Sequence, residues 1–401
     1  MTDLPGGSRR TRLAWIAAIA FASGFPFGLV NETLPVYLRS EGAGLVEVGL
    51  VSAVSFPWTF KFVWAPLVDR LGSRRQWITA CLLGLSALTL VLASFDVHEI
   101  AAGFWLLLIA MVALSATQDI AIDAYTIEST TEEELGVANS VRIAFYRVAM
   151  FAAGGLLLWI AGRASWDAAF TGGALICAVL ALATLAMPSR RRDSSAAARA
   201  EPIWEPIRAL LARPGIWAVI LFALLFKLDI AALEPMTRPF WVDRGLTLEE
   251  IGVFVTTGRI VATVSGAVLG GIVTTKLGIM RSLWILGAVQ AASSLGYAAA
   301  AAAEPSKTLI VGAALFENFT AGMGTAAFIA YLMSVCERRY AATQYAILSA
   351  LLALTRTVAG AASGPLAEAM GYAPYFGLTF LMGLPAFALI PLLRRAGRAE
   401  A

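Results

Sequence analysis

Long apolar runs recur along almost the whole chain, and no other feature of the sequence constrains the fold as strongly. A membrane-spanning helix needs about 20 apolar residues. Twelve runs of roughly that length are present, at residues 13–38, 45–68, 76–95, 100–127, 137–162, 167–187, 214–240, 248–275, 281–303, 306–334, 343–368 and 373–393. Hydrophobic residues make up 59% of the 401 residues and charged residues 14%, whereas a soluble domain is about 45–50% apolar and about 25% charged. The sequence excludes a soluble enzyme, a disordered protein and a single-pass receptor with a folded ectodomain. It predicts an all-α integral membrane protein with twelve transmembrane helices.

One polar segment divides the twelve spans into two groups of six. It runs from Pro188 to Pro214 and contains the basic run Arg190–Arg192. Within it, Trp204–Ala212 has the pattern of a short amphipathic helix that lies on the membrane surface. We therefore expect an N-terminal six-helix bundle at residues 1–187, a cytoplasmic linker at 188–213 and a C-terminal six-helix bundle at 214–401.

The two groups of spans share an internal repeat. The residues that correspond at nearly the same offset are Pro35 with Pro239, Gly49 with Gly252, Arg70 with Lys276, and Leu71-Gly72 with Leu277-Gly278. Two similar six-helix halves joined by an inside loop are the parallel repeat of the major facilitator fold. We predict that fold, with two pseudo-symmetric bundles.

Lysine and arginine are distributed unevenly between the two sides of the predicted spans. One side carries Arg9, Arg10, Arg12, Arg70, Arg74, Arg75, Arg190–Arg192, Arg199, Arg208, Arg213, Lys276, Arg281, Arg338, Arg339, Arg394, Arg395 and Arg398. The other carries Arg39, Arg163, Arg238, Arg244 and Lys307. Because positive loops stay in the cytoplasm, we expect both termini and the central loop to be cytoplasmic.

Both signs of charge occur inside the apolar runs, where each charge is costly. These residues are Glu32, Lys61, Asp119, Asp123, Arg142, Arg147, Lys227, Asp229, Glu234, Arg259, Glu317 and Arg356. Each could be a structural ion pair or a side chain that reaches the surface from a helix end. Helices in lipid can pack through small residues alone, as the pairs Gly154-Gly155 and Gly270-Gly271 predict, so a polar cavity is the simpler account. We predict a substrate cavity lined by Gln118, Arg142, Tyr146, Arg147, Lys227, Asp229, Glu234, Arg259, Glu317, Asn318 and Arg356.

The fourth span carries two acids one helical turn apart, Asp119 and Asp123, which therefore share a face. Two carboxylates at that spacing repel unless a cation intervenes or one of them is protonated. In the fifth span, Arg142 and Arg147 point in different directions, so we expect only one of them to pair with this face. The alternative is a salt bridge that merely locks the two spans together.

We predict that Asp119 and Asp123 couple transport to protons, with Glu32 and Asp229 as reserve sites in the two halves. The tight loop between spans two and three, with Asp69, Arg70, Gly72, Arg74 and Arg75, is a candidate gating loop. Its carboxylate can lie against the N-terminus of a neighbouring helix. The alternative is an ordinary solvated basic loop.

Several kinds of chemistry lack the residues they need. His98 is the sole histidine, and Cys81, Cys177 and Cys336 have no metal-binding spacing. No Gly-x-x-x-x-Gly-Lys-Ser/Thr phosphate loop is present, so ATP is not the direct energy source. We expect no enzyme activity, no metal, no cofactor and no nucleic-acid partner. We expect the chain to be a monomer in the lipid bilayer. Its expected partners are a small-molecule substrate and protons.

Several motifs resemble those of AmpG-type muropeptide permeases of the major facilitator superfamily. They are Gly24-Phe-Pro-Phe-Gly28, Lys61-Phe-Val-Trp-Ala-Pro-Leu-Val-Asp-Arg70, Ser115-Ala-Thr-Gln-Asp-Ile-Ala-Ile-Asp-Ala-Tyr125, Phe316-Glu-Asn318, Gly322-Met-Gly-Thr-Ala-Ala-Phe328 and Ala342-Thr-Gln-Tyr-Ala-Ile-Leu-Ser-Ala-Leu351. Acetyl-CoA transporters share only the Gln-Asp-Ile-Ala-Ile-Asp part. In span seven, Asp229-Ile-Ala-Ala-Leu-Glu-Pro-Met236 departs from the family pattern.

The resemblance implies a proton-driven importer in the bacterial inner membrane. Its cargo would be GlcNAc-anhydro-N-acetylmuramic acid, with or without its peptide, recovered from the cell wall. The family's buried acids would correspond to Asp119, Asp123 and Glu317. A drug/proton antiporter, a membrane sensor that binds cell-wall fragments without moving them, and a lipid flippase remain as alternatives.

Overall fold

The computed structural model describes residues 8–95, 102–130, 135–188, 204–335 and 341–396, and its regular elements are helices. His98 and the basic run Arg190–Arg192 lie outside these ranges. The α-helices are α1 Arg9–Gly28, α2 Leu34–Ser40, α3 Leu45–Val54, α4 Phe56–Phe60, α5 Ala65–Arg70, α6 Arg74–Ala93, α7 Ala102–Glu128, α8 Leu135–Phe151, α9 Leu157–Arg163, α10 Trp166–Leu185, α11 Trp204–Leu211, α12 Ile216–Phe226, α13 Leu228–Asp243, α14 Thr257–Leu277, α15 Ile279–Ala302, α16 Lys307–Val335, α17 Ala341–Met370 and α18 Tyr372–Ala396. Short π-helical segments continue three of the spans, at Leu29–Thr33, Ala152–Leu156 and Glu250–Thr256.

The helices are compatible with the twelve predicted spans. Within the described ranges, nine helices are long and apolar enough to cross a membrane. Helices α16 and α17 add two more of sufficient length, with 29 and 30 residues. The second predicted span is divided instead into α3, α4 and α5. Pro57 and Pro66 lie in the first turns of α4 and α5, where the missing N–H of proline costs no hydrogen bond.

The chain divides into two compact units. The first comprises Met1–Gly44, Val54–Asp193 and Thr247–Thr256, and the second comprises Leu45–Ala53, Ser194–Leu246 and Thr257–Ala401. Each unit therefore contains one short segment from the other half of the sequence.

Each unit has its own apolar core. Ile19, Leu82 and Ile122 are fully buried in a cluster of the first unit. The second unit has an aromatic core in which the rings of Phe226 and Phe328 stack with their centroids 5.2 Å apart. Helix α11 forms as predicted, and its Leu210 is buried in this second core.

The internal repeat extends to the way that the first and seventh spans end. Gly42 and Gly245 have φ angles of 90° and 80°. In both places the next residue donates a hydrogen bond to the carbonyl five residues back, Ala43 to Leu38 at 2.8 Å and Leu246 to Trp241 at 3.0 Å. This is the Schellman ending, which needs a left-handed residue and therefore favours glycine. The repeated Gly72 and Gly278 also have positive φ.

Glycines bring the eighth and tenth spans into close contact in the second unit. A Cβ atom at Gly270 would lie 2.6 Å from both the Cα and the carbonyl oxygen of Met323. A Cβ atom at Gly266, one turn earlier, would lie even closer to the carbonyl oxygen of Phe319. The neighbouring Gly271 has no atom within 4 Å of such a Cβ among the described residues, so the predicted role of the Gly270-Gly271 pair holds for Gly270 alone. In the first unit, both Gly154 and Gly155 make close approaches to neighbouring residues.

Gly270→Ala and Gly271→Ala should therefore have opposite effects on stability. The added methyl group at residue 270 pushes against backbone, and such overpacking costs about 1–3 kcal/mol. At residue 271 it meets open space, and alanine stabilises a helix by up to about 1 kcal/mol over glycine. Thermal unfolding of the purified protein in detergent should show a lower Tm for the first variant and an unchanged or higher Tm for the second. Equal changes in Tm for the two variants would contradict this packing.

Candidate functional site

A cluster of four charged side chains lies on the second, fourth and fifth spans of the first unit. The Nζ of Lys61 lies 3.8 Å from Oδ2 of Asp119 and 3.5 Å from Oδ2 of Asp123. Arg142 forms an ion pair with Asp123. Ser23 of α1 donates a hydrogen bond of 2.6 Å to Asp119. Two cations therefore balance the two carboxylates, which resolves the repulsion expected from their spacing.

The break in the second span carries Lys61 into this cluster. Lys61 begins a short 3-10 turn, Lys61–Val63, between α4 and α5. The indole nitrogens of Trp58 and Trp64 donate to Ser115 at 3.3 Å and to Thr117 at 3.1 Å. Because both acceptors lie on α7, these bonds fasten the broken span to the helix that carries the acids.

The predicted site residues of the first unit have different surroundings. Arg142 pairs with Asp123, while Arg147 is exposed and its guanidinium lies 3.8 Å from the sulfur of Met150. The ring of Tyr146 packs against Phe27 with centroids 5.8 Å apart. Gln118 is fully buried, and within the described part of the chain its amide atoms have no hydrogen-bond partner. Glu32 is buried in the first π-helical segment and packs against Gly154.

In the second unit, the seventh span is interrupted at Lys227, which separates α12 from α13. The side chain of Lys227 donates to Gln290 at 2.6 Å and to Thr325 at 2.8 Å. Gln290 in turn donates to the carboxylate of Asp229 at 3.2 Å. Lys227, Asp229 and Gln290 are all buried. The amide thus lies between a cation and an anion and satisfies both.

A second polar group of this unit is centred on Glu234. Arg356 donates to its Oε2 at 2.7 Å, and Arg259 and Arg238 lie 3.5 and 3.8 Å from its Oε1. The guanidinium of Arg259 also lies over the ring of Trp241, 5.3 Å from its centroid.

Glu317 and Asn318 lie close to the Glu234 group. Asn318 donates to Glu317 at 2.7 Å, and the charge of Arg259 acts on the same carboxylate. Glu317 and Asn318 are both buried.

The candidate gating loop is tied to other helices of the first unit. Arg74 pairs with Glu128 at the end of α7, 3.1 Å apart, and donates to the carbonyl of Val68. Arg75 donates to the carbonyls of Leu185 and Met187 at the end of the sixth span. Gly72 has the positive φ of a tight turn, and Ser73 caps α6. The side chains of Asp69 and Arg70 lie outside the described residues.

Sequence reasoning missed several residues of these groups. Lys61 is one of the charges inside the apolar runs but is not among the predicted site residues, and Ser23, Gln290 and Thr325 carry no charge that would mark them in the sequence. The prediction that Arg238 belongs to an outside segment is wrong. Helix α13 continues through Pro235 and Pro239 to Asp243, so Arg238 is 3% exposed and lies one turn from Glu234. That spacing of four was the available signal.

Comparisons with known proteins agree on one family and one fold. The profile of the Major Facilitator Superfamily matches residues 16–360. The chain is 31% identical to the anhydromuropeptide permease of Escherichia coli (strain K12), over 96% of this chain and 80% of that protein. It is 28% identical to the putative transporter AmpG 4 of Rickettsia conorii, over 95% and 96% of the two chains.

The solved structures that resemble this chain include a bacterial homolog of the human lysosomal transporter Spinster in an inward-facing, unoccupied conformation. The TM-score is 0.75 with 16% sequence identity, and the match covers 98% of this chain and 99% of that one. At such identity the likeness concerns the fold alone. It agrees with the all-α architecture described above.

Lys61 should be energetically coupled to the acids that it contacts. Lys61→Gln and Asp123→Asn should each lower the free energy of unfolding. The double variant should lose less stability than the sum of the two single losses, with a coupling energy of about 0.5–3 kcal/mol. Denaturant unfolding in mixed micelles measures the cycle. The matched control is the exposed pair Arg163 and Glu249, 3.0 Å apart, whose coupling should stay within about 0.2–1 kcal/mol. If the coupling energy of Lys61 and Asp123 is no larger than that of the control pair, the two side chains do not interact as the structure indicates.

Proposed function

The chain belongs to the Major Facilitator Superfamily and, within it, to the anhydromuropeptide permeases, and from this we propose that it carries anhydromuropeptides across the bacterial inner membrane by alternating access. The observation that carries the cargo assignment is the 31% identity to the Escherichia coli permease along 96% of this chain. The protein is thus a membrane transporter, and its superfamily is one of transporters rather than enzymes.

The polar groups inside the two units support a cargo with both polar and charged parts. An anhydromuropeptide offers sugar hydroxyls, acetamide groups and carboxylates. The first unit presents the balanced group of Lys61, Asp119, Asp123 and Arg142. The second presents the arginines around Glu234. Intramembrane ionisable residues of this kind commonly mark substrate and ion pathways.

We further propose that Asp119 and Asp123 carry the coupled proton as one unit. Asp123 is held by two cations, Lys61 and Arg142, on the second and fifth spans. Its protonation would remove the attraction that holds Arg142 to α7 and would leave Lys61 with Asp119 as its one remaining partner in the cluster. Spans two and five could then shift relative to span four, and loss of the proton would restore the pairs. Glu32 and Asp229 are the reserve carriers.

The loop of Asp69, Arg70, Gly72, Arg74 and Arg75 is proposed to act as the gating loop. The contacts of Arg74 and Arg75 described above stay within the first unit. They support a loop that moves together with that unit rather than one that opens independently.

Uptake of radiolabelled anhydromuropeptide into proteoliposomes, with an imposed inward pH gradient, tests this function. We expect gradient-driven accumulation that collapses with a protonophore. Binding without accumulation would indicate a sensor instead. If cationic drugs compete for the binding site and are exchanged across the membrane, while the muropeptide is not taken up, the protein is a drug/proton antiporter.

Asp119→Asn and Asp123→Asn should each abolish accumulation, because asparagine keeps the size of the side chain but cannot change its charge. Substrate exchange without a pH gradient should persist in at least one of them, since cargo binding does not require the proton to move. The control is Asp167→Asn, an acid in the first turn of α10, which should accumulate normally. If both cluster variants still concentrate the substrate, the proton is carried elsewhere.

The proposed orientation predicts the side of the membrane on which reporter fusions become active. A reporter fused after Ala401 should be active in the cytoplasm, because the lysine and arginine bias is so one-sided. A truncation fused after Pro305, between the ninth and tenth spans, should be active on the opposite side. A periplasmic signal from the first fusion would contradict the assignment of twelve spans with cytoplasmic termini.

A further inference from the structure

Three aromatic rings of the first unit contact one another from spans one, two and five. The ring centroid of Phe27 lies 4.9 Å from that of Trp58 and 5.8 Å from that of Tyr146, so Phe27 is the central ring. The indole nitrogen of Trp58 donates to Ser115 on the fourth span, which restricts the orientation of the indole. We call Phe27, Trp58 and Tyr146 the aromatic group.

The aromatic group lies next to the charged cluster of the same unit. Each ring is three or four residues from a member of the cluster or from the serine bonded to it: Phe27 from Ser23, Tyr146 from Arg142, and Trp58 from Lys61. Spans one and five cross the membrane in one direction and span two in the other. Phe27 and Tyr146 follow their neighbours in the sequence, whereas Trp58 precedes its own. All three rings therefore lie about one helical turn to the same side of the charges, and the two groups form adjacent layers.

The aromatic group is less buried than the rings that fill the core of this unit. Phe27, Trp58 and Tyr146 are all half-buried. A second contact of three rings joins Tyr37 and Phe170 to a tryptophan at the start of α10, with centroids 4.9–5.7 Å apart. Tyr37 and Phe170 are 5% and 0% exposed. The rings of the aromatic group therefore keep accessible surface that rings in a core do not have.

The charges beside the aromatic group are partly accessible as well. The side chains of Lys61, Asp123 and Arg142 are 31%, 35% and 37% exposed. A charge that faces lipid is costly, so an accessible charge inside a membrane span faces the interior of the bundle or a water-filled path. The half-buried rings one turn away are placed to border the same path. A molecule that enters it meets an apolar aromatic surface beside a set of hydrogen-bonding groups.

An aromatic surface beside charged hydrogen-bonding groups suits a pyranose. A pyranose ring has faces made of C–H groups and an edge made of hydroxyl groups. The negative face of an aromatic ring attracts the positively polarised C–H groups, while the hydroxyls need hydrogen-bond partners once water is removed. Carboxylates accept hydrogen bonds, and ammonium and guanidinium groups donate them. The charged cluster can therefore bind hydroxyl groups both as donors and as acceptors.

We propose that the aromatic group is a stacking platform for the N-acetylglucosamine ring of the cargo, and that the charged cluster binds hydroxyl groups at the edge of that ring. The inference rests on the proposed function and names the part of the cargo that the first unit recognises. The N-acetylglucosamine ring is a chair with equatorial substituents, so its faces are flat C–H surfaces. The anhydro bridge forces the muramic acid ring into the opposite chair, in which axial substituents project from the faces. The first ring fits a flat platform and the second does not.

Two ligands and three variants test the platform, with affinities measured by calorimetry on the purified full chain in detergent. GlcNAc-anhydro-N-acetylmuramic acid contains the stacking ring, and anhydro-N-acetylmuramic acid lacks it. The wild-type protein should bind the disaccharide about tenfold or more tightly. Phe27→Leu stays apolar but removes the central ring, so it should lose most of this preference, as expected for a central aromatic contact. Phe27→Tyr keeps the ring and should retain the preference.

The matched control is Phe170→Leu, which makes the same change in the buried contact with Tyr37. It should lower the Tm and leave the affinities of the folded protein for both ligands unchanged. Size-exclusion chromatography selects the folded fraction of each variant before the titration.

Trp58 supplies an independent optical readout. The disaccharide should change the intrinsic fluorescence of the wild-type protein as the site fills, because a sugar on the platform alters the surroundings of this indole. Trp58→Phe keeps a ring, so it should still bind the disaccharide while most of the fluorescence change disappears. This measurement decides the question even if Phe27→Leu fails to fold. An undiminished fluorescence change in Trp58→Phe shows that the sugar does not contact Trp58.

The outcomes distinguish this inference from the function on which it rests. If the wild-type protein binds neither ligand, the cargo assignment is wrong and the platform falls with it. If it binds both ligands equally well, the cargo assignment stands and the platform is wrong. If Phe27→Leu and Phe170→Leu weaken binding of the disaccharide by the same factor, the rings act only through packing and the platform is overturned.

Discussion

Neutralisation of charge inside the membrane is the constraint on which the polar architecture of this protein depends. A carboxylate or ammonium group in a low-dielectric interior must be paired or bound to a ligand. The first unit meets this requirement completely at Asp119 and Asp123, with Lys61 and Arg142 as partners. In the second unit, Lys227 and Asp229 are joined through Gln290, and three arginines lie around Glu234. Both units therefore keep charges inside their spans in groups of opposite sign, and each group joins several helices.

Much of the fold could be predicted from the sequence because the bilayer permits so few backbone arrangements. Apolar runs of about 20 residues indicate helices almost without ambiguity, and the repeat of Leu71-Gly72 at Leu277-Gly278 indicates two related halves. The repeat persists in detail, since Gly42 and Gly245 end their helices with the same hydrogen bonds. The spacing of Asp119 and Asp123 also predicts that both acids share one helix face, and in the structure both lie near Lys61.

The partners of those acids could not be predicted, for physical reasons. Lys61 reaches the cluster because the second span breaks into short helices near Pro57 and Pro66, and the direction of a side chain beyond such a break does not follow from helical periodicity. The prediction that Arg238 belongs to an outside segment fails because α13 continues through Pro235 and Pro239 to Asp243. Gln290 joins Lys227 to Asp229 from another span, and an uncharged residue gives no sign in the sequence that it mediates between charges. Contacts between distant helices depend on packing that a single sequence does not display.

The distribution of segments between the two units has a consequence for synthesis. The first unit includes Thr247–Thr256, although the rest of it ends by Asp193. A ribosome must therefore add more than fifty further residues, including the whole seventh span, before the last piece of the first unit exists. At about 5–20 residues per second, several seconds separate these events. The segment Leu45–Ala53 meets its packing partner even later, because Gly49 packs against Gly364. The first unit therefore cannot be completed before part of the second has been made, and Leu45–Ala53 cannot pack against Gly364 until the eleventh span has been synthesised.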